Sequence, residues 1–160
     1  MSEVAEAIRV ELERSGIGVV ETPFPAELRT VDEVARALGM APAQIVKAML
    51  VTVEGSTVVV GIPGDRRLDL AGLRATLGAS SVRLVPRGEI ESVGGVRSGA
   101  VTPLLGLVRD DLEVLLDASL GAAGTVNVSS GDLSMGLALA AADLAAAVGA
   151  DWIDLGAKGK

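Results

Sequence analysis

The sequence predicts one α+β domain over residues 1–160, a twisted mixed sheet flanked by helices. Three observations lead there. The chain has 160 residues, enough to bury a core without metals or crosslinks, and 49% of them are apolar. Short β-branched runs follow one another across turn residues, as hairpins do. Helical segments fall between them irregularly, which fits neither a strict βαβ alternation nor strands followed by helices.

Val4 to Arg14 reads as an amphipathic helix, with Val4, Ile8 and Leu12 spaced by four on one face. Gly16 is placed to end it in a left-handed cap. Gly18 to Glu21 is a short strand, stopped by Pro23 and Pro25, which cannot donate to a ladder. Thr30-Val31-Asp32-Glu33 has the capping-box pattern; Val31, Val34, Ala35 and Leu38 form the apolar face behind it, and Gly39 closes the helix. Pro42 suits the first turn of another helix, with Ile45, Val46 and Met49 on its apolar side, running straight into a strand from Leu50 to Val53. Glu54-Gly55-Ser56 is a hairpin turn, and Thr57 to Ile62 is its β-branched partner strand.

After the loop Pro63-Gly64-Asp65, Asp69 opens a helix carrying Leu70, Leu73 and Leu77, ended by Gly78. Val82 to Val85 is a strand, and Pro86 opens a short helical segment through Glu91. Gly94, Gly95, Gly99 and Gly106, with Pro103 among them, form a glycine-rich part where backbone can approach a ligand closely. Val114–Leu116 and Thr125–Val128 are strands, Ser129-Ser130-Gly131 a turn, and Leu137 and Leu139 mark another strand. Ala141 to Val148 is an Ala-rich helix, and the tail from Asp151 is expected to fray over residues 156–160.

Aromatics make up only 1%, so the core is built from Val, Leu, Ile and Ala, with Phe24 and Trp152 as isolated large fillers. The chain has no cysteine and no histidine. That excludes disulfides, thiolate nucleophiles, Cys/His zinc sites and the imidazole-based triads. Chemistry here rests on Lys, carboxylates, hydroxyls, backbone amides or the substrate itself. A formal charge of −7 argues against a broad cationic face coating nucleic acid, but not against a pocket that grips one nucleotide end. No apolar run reaches transmembrane length, and the acidic N-terminus lacks the pattern of a signal peptide, so a cytoplasmic protein without membrane attachment is expected.

Lys47 stands among Ile45, Val46, Ala48, Met49 and Leu50. A charge in an apolar run is more often a snorkelling side chain at a domain edge; the functional alternative is a lysine donating to a phosphate or carbonyl oxygen in a cleft. Gly99 to Pro103 spells G-x-x-x-P, whose backbone N–H groups suit an oxyanion or carbonyl or else shape an ordinary turn. It is neither a Walker loop nor a dinucleotide fingerprint. Asp117 follows Val114-Leu115-Leu116 and either orients a substrate or caps the turn at Ser119. Ser129 and Ser130 either bond substrate or shape a turn. Arg66, Arg67 and Arg97 are candidates to meet phosphates, each more simply read as solvated surface charge.

In order, these pieces resemble the YbaK/prolyl-tRNA-synthetase-associated editing domain over roughly Thr30 to Val148. The carriers are Val31-Asp32-Glu33-Val34-Ala35-Arg36-Ala37-Leu38-Gly39, Gln44-Ile45-Val46-Lys47-Ala48-Met49-Leu50-Val51, and Val58-Val59-Val60-Gly61-Ile62-Pro63-Gly64-Asp65-Arg66-Arg67-Leu68-Asp69. Gly99-Ala100-Val101-Thr102-Pro103-Leu104 and Val114-Leu115-Leu116-Asp117-Ala118-Ser119-Leu120 complete the pattern. Each segment is weak alone; their joint order and spacing are specific. The resemblance implies a free-standing aminoacyl-tRNA deacylase, an ester hydrolase that edits mischarged tRNA in translation. Its partner would be the acceptor end of tRNA(Pro) carrying Ala, Ser or Cys, with a prolyl-tRNA synthetase as a further partner. It implies no cofactor and no metal. The alternative is a non-catalytic module of the same fold that binds a tRNA end or a nucleotide.

The family lysine carries over to Lys47, and the loop glycine and proline to Gly99 and Pro103. In the mechanism this implies, Lys47 holds the terminal phosphate or ester, and N–H groups near Gly99 and Ala100 hold the carbonyl or the water. Pro103 fixes the loop. Ile45, Met49 and Val101 line a small apolar pocket for the amino-acid side chain, and Thr102, Asp117 and Ser129 complete the substrate-binding set. Two departures bear on which amino acid is removed: Ala100 stands where many relatives have a second glycine, and the histidine that some relatives place near the pocket is missing.

Overall fold

The computed structural model describes residues 2–155 and the backbone of residues 158–159. The N-terminal helix α1 spans Glu3–Ser15; the Ser2 hydroxyl accepts the Ala5 N–H at its start, and Gly16 ends it at φ +71. The strand β1 (Val20–Pro23) leads to α2 (Val31–Leu38), which opens with the expected capping box of Thr30 and Glu33. The Thr30 hydroxyl, together with the Arg29 and Thr30 N–H groups, holds the Glu33 carboxyl below its usual range. A single 3-10 turn, Pro42–Gln44, precedes β2 (Val46–Val53), which pairs along its whole length with β3 (Ser56–Pro63). There follow β4 (Arg66–Arg67), α3 (Leu70–Leu77), β5 (Val82–Leu84) and α4 (Ile90–Gly94). The chain closes with β6 (Glu113–Asp117), β7 (Thr125–Ser129), β8 (Met135–Ala140), α5 (Ala141–Val148), β9 (Trp152–Ile153) and β10 (Lys158–Gly159).

The α+β class read from the pattern holds, with the strands divided among sheets. A five-stranded mixed sheet has the order β5-β2-β3-β6-β9, and a three-stranded antiparallel sheet has the order β1-β8-β7. β4 and β10 form a small antiparallel pair. That pairing takes in Lys158 and Gly159 of the tail expected to fray; residues 156, 157 and 160 lie outside the described ones. The larger core fills the space between the two main sheets. Val46, Leu50, Val59, Val114 and Leu116 face Val126, Val128, Leu137 and Leu139, with Ile8 of α1 and Leu144 of α5 closing the ends. On the opposite face of the five-stranded sheet, Val51, Val58, Val60, Ile62 and Leu115 pack with Leu73 of α3 and Leu155. No helix among the described residues is long and apolar enough to cross a membrane.

Two local expectations are corrected. The helix after Pro42 does not form beyond one 3-10 turn, and the strand begins at Val46 instead of Leu50. The spacing of Ile45, Val46 and Met49 fits a helix. Eight residues of ladder with β3 decide instead for extended backbone, which packing of Val46 and Leu50 on one face and Val51 on the other stabilises. The first strand starts two residues late and includes Pro23, which is tolerated because β1 lies at the edge of its sheet. The segment after Pro86 is a 3-10 turn, Arg87–Glu89, continued by α4 past the expected end at Glu91. Asp69 stands at the N-cap of α3, its carbonyl accepting the Leu73 N–H at 2.8 Å.

Candidate active site

The sheets meet at one point. Ile45, just before β2, forms a parallel bridge with Asn127 of β7, after which the strands separate. Between them opens a cavity of about 600 Å³, the size of a small-molecule or cofactor site. Of the residues the sequence singled out, Ile45, Lys47, Met49, Gly99, Val101 and Ser129 line it. Lys47 is half-buried, paired in register with Ile62 and sharing a strand face with Met49 and Val51.

The loop opposite owes its shape to Gly99. The Ala100 N–H donates to the Arg97 carbonyl at 2.9 Å, and Gly99 occupies the third position of this turn at φ +92, as a type II turn requires. Beyond it, side chains alternate: Val101 lines the cavity, while Ala100 and Thr102 point into the interior and are 1% and 0% exposed. The Thr102 hydroxyl accepts the Leu104 N–H at 3.2 Å, capping the 3-10 turn Pro103–Leu107. Pro103 is buried against Gly61 of β3, where any side chain would meet Leu116 Cδ2 at 2.8 Å. Thr102 and Pro103 therefore anchor the loop and make no part of the cavity wall.

Besides Thr102 and Pro103, two further expected site residues, Ala100 and Asp117, are not brought to the cavity. The Ala100 amide is spent on Arg97, so it does not supply the oxyanion donor anticipated for it, whereas the Gly99 N–H makes no hydrogen bond among the described residues. The Ala100 carbonyl accepts the Ser129 hydroxyl at 3.2 Å, tying the loop to β7. Asp117 is 4% exposed and fully engaged: it accepts the Ser119 N–H, the Ser119 hydroxyl and the Leu155 N–H. Replacing Asp117 with Ala strands those buried donors and is expected to cost about 2–3 kcal/mol of stability. Denaturant unfolding will show that loss, with the KM for ligand unchanged.

The structure adds residues that sequence reasoning passed over. Arg29 donates to the Ser98 carbonyl and Arg87 to the Ser98 hydroxyl, both at 3.3 Å, so two guanidiniums flank the turn at the cavity mouth. Arg97 is paired with Glu27 at 2.6 Å, a carboxylate that Arg29 also approaches at 3.8 Å, and Arg66 and Arg67 lie in β4; Arg66, Arg67 and Arg97 do not line the cavity. The charged groups of the wall are Arg29, Lys47 and Arg87 against Asp32 and Asp132, a local positive balance in a chain of charge −7. The Ser134 hydroxyl and N–H hold the Asp132 carboxyl below its usual range. Phe24, the sole phenylalanine, also lines the cavity, as does Asn127, 2% exposed. The Asn127 Nδ2 has no partner among the described residues, an arrangement that ordinarily costs about 1–3 kcal/mol. A single phenylalanine is a legible signal in a sequence; an asparagine in a β run and an arginine beside a helix cap are not.

Comparison with known proteins bears on the family and the fold. The family model of the aminoacyl-tRNA editing domain matches residues 25–147. A proline–tRNA ligase of Acidithiobacillus ferrooxidans is 33% identical over 124 residues, 74% of this chain and 21% of the ligase. One from Bacillus licheniformis is 30% identical over 123 residues, 76% of this chain and 21% of the ligase. The chain thus spans about a fifth of the length of the curated relatives it matches. Among solved structures, a candidate trans-editing enzyme for prolyl tRNA synthetase superimposes with a TM-score of 0.83 at 26% identity, covering 100% of this chain and 99% of that one. A hypothetical protein reaches 0.87 at 25% identity over 95% of this chain and 99% of its own. The chain belongs to the aminoacyl-tRNA editing domain family. Its relatives include proline–tRNA ligases, each matched over about a fifth of its length.

Proposed function

We propose that this protein is a trans-editing deacylase that hydrolyses the ester between a small noncognate amino acid, Ala, Ser or Cys, and the terminal ribose of tRNA(Pro). The observation that carries the reading is the convergence of Lys47, the Gly99 turn and two arginines on one cavity. An ester on a ribose hydroxyl is already activated, so positioning and oxyanion stabilisation matter more than a strong base, which suits a chain without histidine. Lys47 holds the phosphate or ester end, and the Gly99 N–H donates to the carbonyl oxygen as it becomes an oxyanion. Water, assisted by the neighbouring ribose hydroxyl, adds to the carbonyl carbon. The carbon–oxygen bond to the ribose then breaks, the ribose oxygen takes a proton, and the amino acid leaves as its carboxylate. Ile45, Met49 and Val101 bound the space for the side chain. A methylene changes selectivity by only about 1–3 kcal/mol, so the shape of this wall does the sorting.

Release of label from tRNA(Pro) charged in turn with alanine, serine, cysteine or proline tests the reading. Turnover of one or more noncognate esters with prolyl-tRNA spared supports it. Binding without hydrolysis of any ester would replace it with the non-catalytic module. Phosphate contacts position the acceptor end without touching the reacting bond. Replacing Arg29 and Arg87 together with Ala should therefore raise KM about tenfold at unchanged kcat. It should also flatten the dependence of log(kcat/KM) on log salt by about one unit for each phosphate no longer neutralised.

A further inference from the structure

A second cavity, of about 140 Å³, lies in the seam between α1, β1 and β8 and shares with the first, among the described residues, only Met135. Ala5 and Leu12 of α1, Ile17 and Val19 of the following connection, and Met135 and Leu137 of β8 make its inner surface apolar. Ser130 lines it too, but its hydroxyl is donated to the Met135 carbonyl at 2.9 Å. A dry apolar cavity of about 150 Å³ holds a benzene-sized molecule, so the space is right for a compact hydrocarbon group.

The remaining wall is charged. Arg9 and Glu13 stand on successive turns of α1, and Glu21 stands on β1. Arg9 Nε lies 3.6 Å from a carboxylate oxygen of each glutamate. Both distances exceed the hydrogen-bonding range of about 2.7–3.2 Å. Arg109 shows the closed alternative, forked onto Asp111 by two bonds of 2.8 Å. The Arg9 guanidinium and the Glu21 carboxylate are therefore drawn to one place without consuming each other's hydrogen-bonding capacity. Glu21 is the more enclosed of the two glutamates, its side chain 41% exposed against 70% for Glu13.

We propose that this second cavity binds a free α-amino acid with a compact apolar side chain, such as valine. The α-carboxylate takes the fork of Arg9, the geometry in which guanidinium and carboxylate bond in pairs. The α-ammonium, with three donors and no acceptor, takes the Glu21 carboxylate. The side chain enters the apolar space behind them. An α-amino acid carries its two charges on one carbon, as neighbouring groups of opposite sign at the mouth require. A fatty acid or an alkylamine would fill the apolar space but leave one of those signs unanswered. The proposal does not depend on the editing reading, because neither Arg9 nor Glu21 lines the first cavity.

Titration of the isotope-labelled chain with L-valine, followed by its amide NMR signals, tests the site and places it. Saturable shifts are expected at Arg9, Ile17, Val19 and Leu137, with a Kd of about 1 mM or lower. Three probes each lack one part of the ligand: 3-methylbutanoate the ammonium, isobutylamine the carboxylate, and glycine the apolar side chain. Each should bind about tenfold more weakly than valine, the worth of one charge-assisted bond or one buried side chain. Arg9→Gln and Glu21→Gln should each weaken valine by a similar factor. Arg9 and Glu21 are 47% and 41% exposed, so both variants should fold, which the undisturbed signals of the rest of the chain will show. The wild-type probe series stands without them. Absence of saturable shifts up to about 10 mM valine would overturn the proposal. So would shifts centred on the first cavity, or equal affinity for valine and the two singly charged probes.

Discussion

Replacing Lys47 with alanine is expected to lower kcat/KM for the noncognate ester by about 10²–10³-fold, the range for loss of one preorganised electrostatic contact to a transition state. The effect should be large because Lys47 is half-buried in the wall of a cavity, where a charge acts through less water than at the surface. The fold should survive, since Lys47 belongs to neither apolar core and the β2 ladder uses its backbone. Circular dichroism and unfolding close to wild type, with the ester uncleaved, would place the loss in chemistry. An activity within threefold of wild type would return Lys47 to the snorkelling role that its sequence position alone favours.

Gly99→Ala is the second large effect. At φ +92 a side chain costs about 1–2 kcal/mol wherever it stands. Here the added methyl would also sit 3.3 Å from Leu133 Cδ2 and 3.4 Å from Arg29 Cβ, so those side chains must give by a few tenths of an ångström while the strain at φ +92 drives the turn carrying the Gly99 N–H to relax. A displacement of that kind is expected to reduce kcat/KM by about 10²-fold. Gly149→Ala provides the contrast. Its φ of +65 imposes the same class of strain, but nothing lies within 4 Å of the added carbon, and Gly149 does not line the cavity. The two variants should lose similar stability, and only Gly99→Ala should lose most of its activity.

Much of the fold is legible in the sequence because its signals are local. The capping box at Thr30 and Glu33, the left-handed glycines at 16, 39 and 78, and the Glu54-Gly55 hairpin each require particular residues at particular φ, ψ values. The start of β2 is not, because Pro42 through Met49 satisfies a helical spacing and only its ladder with β3 excludes it. The site divides in the same way. Lys47 and Gly99 stand out as anomalies in their own segments. Ala100 misleads because its N–H is taken by the turn that starts at Arg97, and Asp117 because its partners include Leu155, 38 residues away. Asn127, Arg29 and Arg87 acquire meaning only when β7, the segment before α2 and the loop after β5 are brought around one cavity. No local pattern encodes that meeting.

Multiple turnover tests the central claim most directly. Protein is mixed at one hundredth the concentration of tRNA(Pro) charged with alanine, serine, cysteine or proline. Complete release of at least one noncognate amino acid is expected, with prolyl-tRNA persisting as in buffer alone. Release that stops at the protein concentration, or rates equal to spontaneous hydrolysis for every ester, would contradict catalytic editing.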